Sequence, residues 1–235
     1  MIDIHTHIIP GIDDGSKSIE ETLEMINEAR NAGFTDIITT SHYIDGHSDI
    51  NKFNRELLIN GIQSVNKTDV KLYNGAEAYI TPDLLELYNG EQIPTLANSR
   101  YVLFELPMNS EVLYTYSIIE DLINNNYVPI IAHPERYRFV QKNIKKAYEL
   151  IDRGALLQCN YGSFIGLYGN DAQKTVVKLL KEDKISFLGS DTHRANSIYT
   201  KIEDVVRKLE KTVGFEKVQD ITTNNPRKII DNEYI

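Results

Sequence analysis

A single cysteine, Cys159, stands in a chain of 235 residues, so no disulfide can form within it. Such a chain suits a reducing compartment. Tryptophan is absent, and the core is left to Ile, Leu and Val, which recur throughout. No apolar run approaches the roughly 20 residues that a membrane-crossing helix needs, so no membrane insertion is expected. Met1-Ile2-Asp3-Ile4-His5 has neither a basic stretch nor an apolar one, so no signal peptide is expected and a cytoplasmic location is. Positive charge is also short. Lys and Arg number 25 against 34 Asp and Glu, a formal net charge of −9. That balance argues against a general binder of nucleic acid or anionic membrane, which needs a basic face. Repeats and Pro-, Ser- or Gly-rich linkers are missing too, so one domain spanning residues 1–235 is expected.

What is present is one alternation from end to end. Short β-favouring apolar runs precede longer stretches with helical periodicity. The predicted strands are Ile2–Ile4, Asp36–Thr40, Val70–Asn74, Tyr101–Glu105, Val128–Ala132, Leu156–Asn160 and Ile185–Gly189. Ser18-Ile19-Glu20-Glu21 has the spacing of a capping box and opens the first helix. Gly33, Gly154 and Gly214 sit where helices should stop. Ile144, Ala147, Tyr148 and Ile151 share one helical face, as do Ile202, Val205, Val206, Leu209 and Val213. Seven strands in this rhythm predict a parallel α/β fold, as an open doubly wound sheet or a closed barrel. A barrel would bring every strand's C-terminal end to one rim.

Five of the six histidines fall at or just after a predicted strand end: His5 and His7, His42, His133 and His193. Glu77, Glu105 and Asp191 occupy similar places, and Asp14 lies in the loop before the first helix. Imidazoles and carboxylates without cysteine suit Mn, Fe or Zn in a site of nitrogen and oxygen donors. His5-Thr6-His7 projects both imidazoles to one side of an extended segment, and Asp191-Thr192-His193 repeats that spacing with a carboxylate. Alone, Asp14 reads equally as a helix cap and Glu77 as a solvated side chain. Glu105 closes the apolar run Tyr101-Val102-Leu103-Phe104, where an unpaired charge is costly. Nine such ligands exceed what one ion needs, so two or three are implied. Arg136 follows His133 by three residues and can reach the same rim, where a guanidinium fork suits a phosphate. Arg138 and Arg194 offer weaker versions of the same grip. Cys159 lies in an expected strand without the Cys-x5-Arg loop of cysteine phosphatases, so it reads as core. Asn160 can line the rim. His47, in the polar segment Gly46-His47-Ser48, reads as exposed, with a lid over substrate as the other reading.

Six ordered segments together are specific: Met1-Ile2-Asp3-Ile4-His5-Thr6-His7, Asp13-Asp14-Gly15, Gly75-Ala76-Glu77, Phe104-Glu105-Leu106-Pro107, Ala132-His133-Pro134-Glu135-Arg136-Tyr137 and Ser190-Asp191-Thr192-His193. They resemble the polymerase-and-histidinol-phosphatase (PHP) superfamily, and within it the bacterial manganese-dependent tyrosine-protein phosphatases of capsule and exopolysaccharide clusters. The likeness covers nearly the whole chain and reaches the closing Asn225-Pro226-Arg227-Lys228-Ile229-Ile230. It implies an α/β PHP fold, a distorted seven-stranded (β/α) TIM-like barrel with three divalent ions, Mn above Fe or Zn. It places His5, His7, Asp14, His42, Glu77, Glu105, His133, Asp191 and His193 as ligands and Arg136 as the catalytic, phosphate-binding group. Many relatives carry a further Arg, often before Pro, where this chain reads Arg194-Ala195-Asn196; Arg194 is the substitute. A water bridging two ions would ionise near neutral pH and attack phosphorus in line. The implied partner is a phosphotyrosine protein, the tyrosine-rich tail of a polysaccharide co-polymerase kinase. The rival readings are a phosphatase of a small phosphomonoester such as histidinol phosphate, and a non-catalytic metal-binding docking module.

Overall fold

The computed structural model describes residues 1–46 and 51–235, and His47 lies outside them. Among the described residues, nine strands are interspersed with helices. They are β1 (Ile2–Asp3), β2 (Asp36–Ile38), β3 (His42–Tyr43), β4 (Lys71–Tyr73), β5 (Glu77–Tyr79), β6 (Tyr101–Glu105), β7 (Val128–Ala132), β8 (Leu156–Asn160) and β9 (Phe187–Gly189). The helices are α1 (Ile19–Asn31), α2 (Lys52–Val65), α3 (Leu84–Asn89), α4 (Thr115–Asn124), α5 (Arg138–Lys142), α6 (Lys145–Asp152), α7 (Tyr161–Phe164), α8 (Asn170–Lys181), α9 (Ile202–Val213), α10 (Phe215–Gln219) and α11 (Asn225–Ile230). No helix among the described residues is long and apolar enough to cross a membrane.

All strand pairs are parallel. One sheet runs β1-β2-β4 and the other β3-β5-β6-β7-β8-β9. Beyond β1, Thr6 forms a parallel bridge with Thr192, which lies beyond β9. His7 N donates to Thr192 O at 2.9 Å and Asp191 N to His5 O at 2.8 Å. The sheet is therefore curled, with the chain's first and last strand ends side by side.

Nine short strands lie among the described residues, where seven are expected. Tyr101–Glu105, Val128–Ala132 and Leu156–Asn160 form with the expected bounds. His42 and Glu77 are expected just after the second and third strands, and each begins a short strand of its own, β3 and β5. Just before β5, Gly75 passes close to the end of β2. A Cβ there would stand 2.9 Å from Ile38 Cγ2 and 3.0 Å from Thr39 O, so only glycine lets the two chains pass this closely. A two-residue strand such as β3 carries no periodicity for a reader of sequence to find.

Alternation along the strands builds two apolar layers. Tyr101, Leu103, Ile130 and Phe187 pack together across the curl. Val102, Phe104, Ile131, Leu157 and Leu188 face the other way and pack with helix residues such as Ile118, Leu150, Leu179 and Leu209. Glu105, Gln158 and Asn160 share the inward parity at the C-terminal ends of β6 and β8. Cys159 is buried in the helix-facing layer, as expected of a core residue. Helix α1 starts as expected, with Ser18 Oγ accepting from Glu21 N at 3.2 Å.

Candidate metal centre

The nine residues singled out in the sequence converge in space. Their ligand atoms form four overlapping groups, each within 4.8 Å: His7, Asp14, His42 and His193; His5, Glu77 and His133; His5, His7 and Asp191; and His42, Glu77 and Glu105. They come from six stretches of the chain along the curled sheet, with His42 and Glu77 at strand starts and Asp14 in the loop before α1. His5, His7, Glu77, His133 and Asp191 are buried, whereas Asp14 is exposed.

Several imidazoles have a settled proton. Gln158 Nε2 donates to Asn160 Oδ1 at 2.9 Å and to Cys159 O at 2.8 Å, so its oxygen faces His5. His5 Nδ1–H therefore donates to Gln158 Oε1 at 2.7 Å, and its Nε2 lone pair points into the cluster. His7 Nδ1–H donates to Asp13 Oδ2 at 2.8 Å, and His193 Nδ1–H to Asp191 O at 3.0 Å. Their Nε2 atoms are freed in the same way.

Acceptors then face acceptors. His5 Nε2 and His7 Nε2 are 3.3 Å apart. Glu77 Oε2 lies 3.2 Å from His5 Nε2, 3.4 Å from His7 Nε2 and 3.1 Å from His42 Nδ1, yet it is buried without a hydrogen bond. Asp191 Oδ1 stands 3.5 Å and 3.4 Å from the same two Nε2 atoms. Lone pairs crowded this closely in a dry site repel unless a cation or protons sit among them. These separations match neighbouring ligands on one first-row ion, whose N and O donors stand about 2.0–2.2 Å away. The donor set thus fits divalent ions. Without them the cluster holds protons: burial opposes it, but Glu77 and Asp191 push the His5 imidazole up to about 9. Burial would also raise the Glu77 carboxyl, but His5 and His133 outweigh it and hold it well below the usual range. An entering cation would displace such protons.

Strain marks the same place. His133 and Asp191 adopt left-handed backbone conformations, with φ of 34° and 51°. A non-glycine residue held there costs about 1–3 kcal/mol, and such outliers collect at functional sites.

Sequence reading missed several supporting groups. Asp13 braces His7 and accepts from the backbone N–H groups of His42 (2.8 Å) and Gly15 (2.9 Å). Burial opposes ionisation of Asp13, but these donors hold its carboxyl well below the ordinary value. Asn160, expected to line the rim, does so: its Nδ2 donates to Asp191 Oδ2 at 2.7 Å. Buried Glu135 accepts from Asn160 N at 2.9 Å and from Ser163 Oγ at 2.6 Å. Arg55, buried under α2, donates to Ser41 O (2.7 Å) and His42 O (2.5 Å), and burial pulls its guanidinium down to about 10. Of the missed groups, Asp13, beside Asp14, and Glu135, within the His133–Tyr137 segment, carried a local signal, whereas Arg55 carried none.

Arg136 and Arg194 both border the cluster. Arg136 Nη1 donates to Asp191 Oδ2 at 2.6 Å, and its guanidinium lies over the Tyr168 ring at 4.3 Å. Arg194 donates to Gly15 O and His193 O, bracing two of the loops that carry ligand candidates.

The whole-chain comparison decides the family: residues 1–231 match the family described as capsular polysaccharide synthesis, CpsB/CapC. The chain belongs to the CpsB/CapC family. Its similarity to the tyrosine-protein phosphatase CpsB of Streptococcus pneumoniae is 32% identity over 243 residues, covering all of both chains. The tyrosine-protein phosphatase YwqE of Bacillus subtilis (strain 168) is 30% identical over 246 residues, covering 100% of this chain and 93% of the relative. A crystal structure from a study of YwqE and CpsB, described as metal-dependent tyrosine phosphatases, superposes with a TM-score of 0.95 at 28% identity, over 100% of this chain and 96% of that one. A histidinol phosphate phosphatase of Lactococcus lactis shares the fold alone, at a TM-score of 0.61 and 17% identity over 92% and 95% of the chains. The PHP-like resemblance read from the motifs is thus borne out.

A close contact in the CpsB/CapC chain gives a direct check on the cluster. A Cβ at Gly189 would stand 2.7 Å from His5 Cβ and 2.8 Å from Gln158 Nε2. Gly189→Ala should push His5 and Gln158 apart and weaken divalent-ion affinity by about 10–100-fold. Calorimetric titration of the metal-stripped protein measures this.

Proposed function

We propose that this CpsB/CapC chain is a metal-dependent tyrosine-protein phosphatase, a phosphoric monoester hydrolase acting on phosphotyrosine. The observation that carries the reading is Glu77 Oε2, buried among three imidazole nitrogens without a hydrogen bond, in a cluster bordered by the Arg136 guanidinium. His5, His7, Asp14, His42, Glu77, Glu105, His133, Asp191 and His193 would hold the ions. Four overlapping groups support up to three of them, and Mn, with Fe and Zn as alternatives, suits the cysteine-free donors. Divalent ions, when bound, supply Lewis acidity to phosphoryl oxygens and bring the pKa of water toward neutrality.

The protein's own groups do the rest. Arg136 presents a planar fork to the phosphoryl oxygens, held by Asp191 on one edge and Tyr168 beneath. Arg194 is proposed as a second phosphate contact, since it lines a cavity of about 240 Å³ together with Asp191 and His193. Gln158 and Asp13 keep the His5 and His7 lone pairs aimed inward. The leaving tyrosinate has a conjugate acid of pKa about 10, so it departs without a strong general acid.

The proposed substrate protein is the tyrosine-rich tail of a polysaccharide co-polymerase kinase, met in the cytoplasm. We read β2 with β3 and β4 with β5 as two interrupted strands, which makes the fold a distorted seven-stranded barrel within one domain, residues 1–235.

Chelation supplies the test. Dialysis against a chelator should abolish hydrolysis of a phosphotyrosine peptide, and Mn should restore it, with ion content followed by elemental analysis. Faster turnover of histidinol phosphate than of the peptide would shift the reading to a small-substrate phosphatase. Binding of the peptide without hydrolysis in any metal would leave a docking module.

A further inference from the structure

Arg136 is not the only arginine at the mouth of the site. A cavity of about 390 Å³ opens beside it, with Met108, Arg136, Arg138, Gln141, Tyr168 and Asp171 in its wall. The chain has nine arginines. Eight are engaged through their side chains: Arg153 with Glu120 and Arg227 with Asp36, for example, while Arg100 stacks on Tyr234. Of the nine, only the Arg138 side chain has no hydrogen bond, ion pair or ring contact among the described residues. It is exposed, and its backbone N–H, donating to Met108 O at 3.0 Å, anchors it at the start of α5. Asp171 lines the same cavity, and no ion pair joins it to Arg138. The Arg136 charge is directed at Asp191, so Arg138 is the unpaired positive charge of that wall, with Asp171 as an unpaired negative one.

We infer that Arg138 is a specificity-determining residue that reads an anionic group flanking the phosphotyrosine on the substrate chain. The inference rests on the phosphatase reading above. A phosphoryl group held by Arg136 would leave the neighbouring stretch of peptide lying across this cavity. An acidic side chain there would meet a free guanidinium, although the chain as a whole carries −9 and repels acidic peptides at long range. A carboxylate and a second phosphotyrosine share the required chemistry.

Three peptides of one length distinguish the cases: a phosphotyrosine flanked by Glu, the same flanked by Gln, and a doubly phosphorylated version. Steady-state kinetics on the Mn-loaded protein should give kcat/KM about fivefold higher for the Glu peptide than for the Gln peptide, expressed in KM, and the preference should fade with added salt. In Arg138→Gln the ratio should fall to one, and in Arg138→Glu it should invert. A larger gain for the doubly phosphorylated peptide identifies phosphate as the preferred anion, whereas an equal gain identifies charge alone. Melting temperature and metal content confirm that each variant is folded and loaded. A wild-type ratio of one, or a ratio that survives in Arg138→Gln, overturns the inference. If no peptide is hydrolysed, the phosphatase reading falls instead, and this one with it.

Discussion

Glu77→Gln should lower kcat/KM for a phosphotyrosine peptide by about 10³-fold or more and release at least one bound ion per chain. Glu77 is the most connected donor of the cluster. Its Oε1 meets His133 Nε2 at 2.8 Å, and its Oε2 stands within 3.4 Å of nitrogens on His5, His7 and His42. An amide has nearly the same shape but puts an N–H₂ donor, or a weakly charged oxygen, where a full negative charge belongs. One choice points hydrogens at the space a cation should fill. The other removes a counter-charge from four buried or half-buried imidazoles. The metal-free protein should suffer as well, since the raised His5 imidazole depends on the Glu77 charge. Elemental analysis with calorimetric titration separates ion loss from misfolding, and a melting curve in chelator reports the fold. Full ion content with full activity in Glu77→Gln would remove Glu77 from the centre.

Arg136→Ala should behave differently: turnover should fall by about 10²–10³-fold while the ions stay. Among the described residues, the Arg136 side chain reaches the cluster through Asp191 Oδ2 alone, and that oxygen keeps Asn160 Nδ2 at 2.7 Å when the guanidinium is gone. Asp191 Oδ1, which faces His5 and His7, is not the atom that Arg136 holds. The loss therefore falls on phosphoryl binding. Arg136→Lys keeps the charge but loses both the planar fork and the flat face over Tyr168, so it should recover only a small part of the activity. Kinetics with metal content measured on the same samples make the distinction. Near-normal kcat/KM in both variants would take Arg136 out of the reaction.

Much of the centre was legible before any coordinates. His5-Thr6-His7 and Asp191-Thr192-His193 carry their chemistry in their spacing, because side chains two apart on an extended segment share a side. Glu105 and His133 stood out because each ends an apolar run where a charge needs a partner. The supporting residues were silent for the opposite reason. Gln158 sits in a strand that reads as ordinary, and nothing local says that its oxygen meets His5, 153 positions away. Arg55 looks like any charged residue of an amphipathic helix until α2 packs down and buries it against the His42 loop. Tyr168, one of 14 tyrosines, becomes distinctive only under Arg136.

The amino-acid order alone determined the parallel α/β alternation, the imidazole and carboxylate groups of the cluster and the arginine proposed to grip phosphate, because periodicity and donor chemistry are local properties. It read seven strands where nine short ones lie among the described residues, since two- and three-residue strands such as β3 and β5 carry no periodicity of their own. Only the tertiary structure decided which nitrogen of His5 faces the cluster, which oxygen of Asp191 is already taken, and which arginine remains unpaired. Each depends on what the far side of the group touches, and parallel strands joined by helices bring those partners from remote parts of the chain.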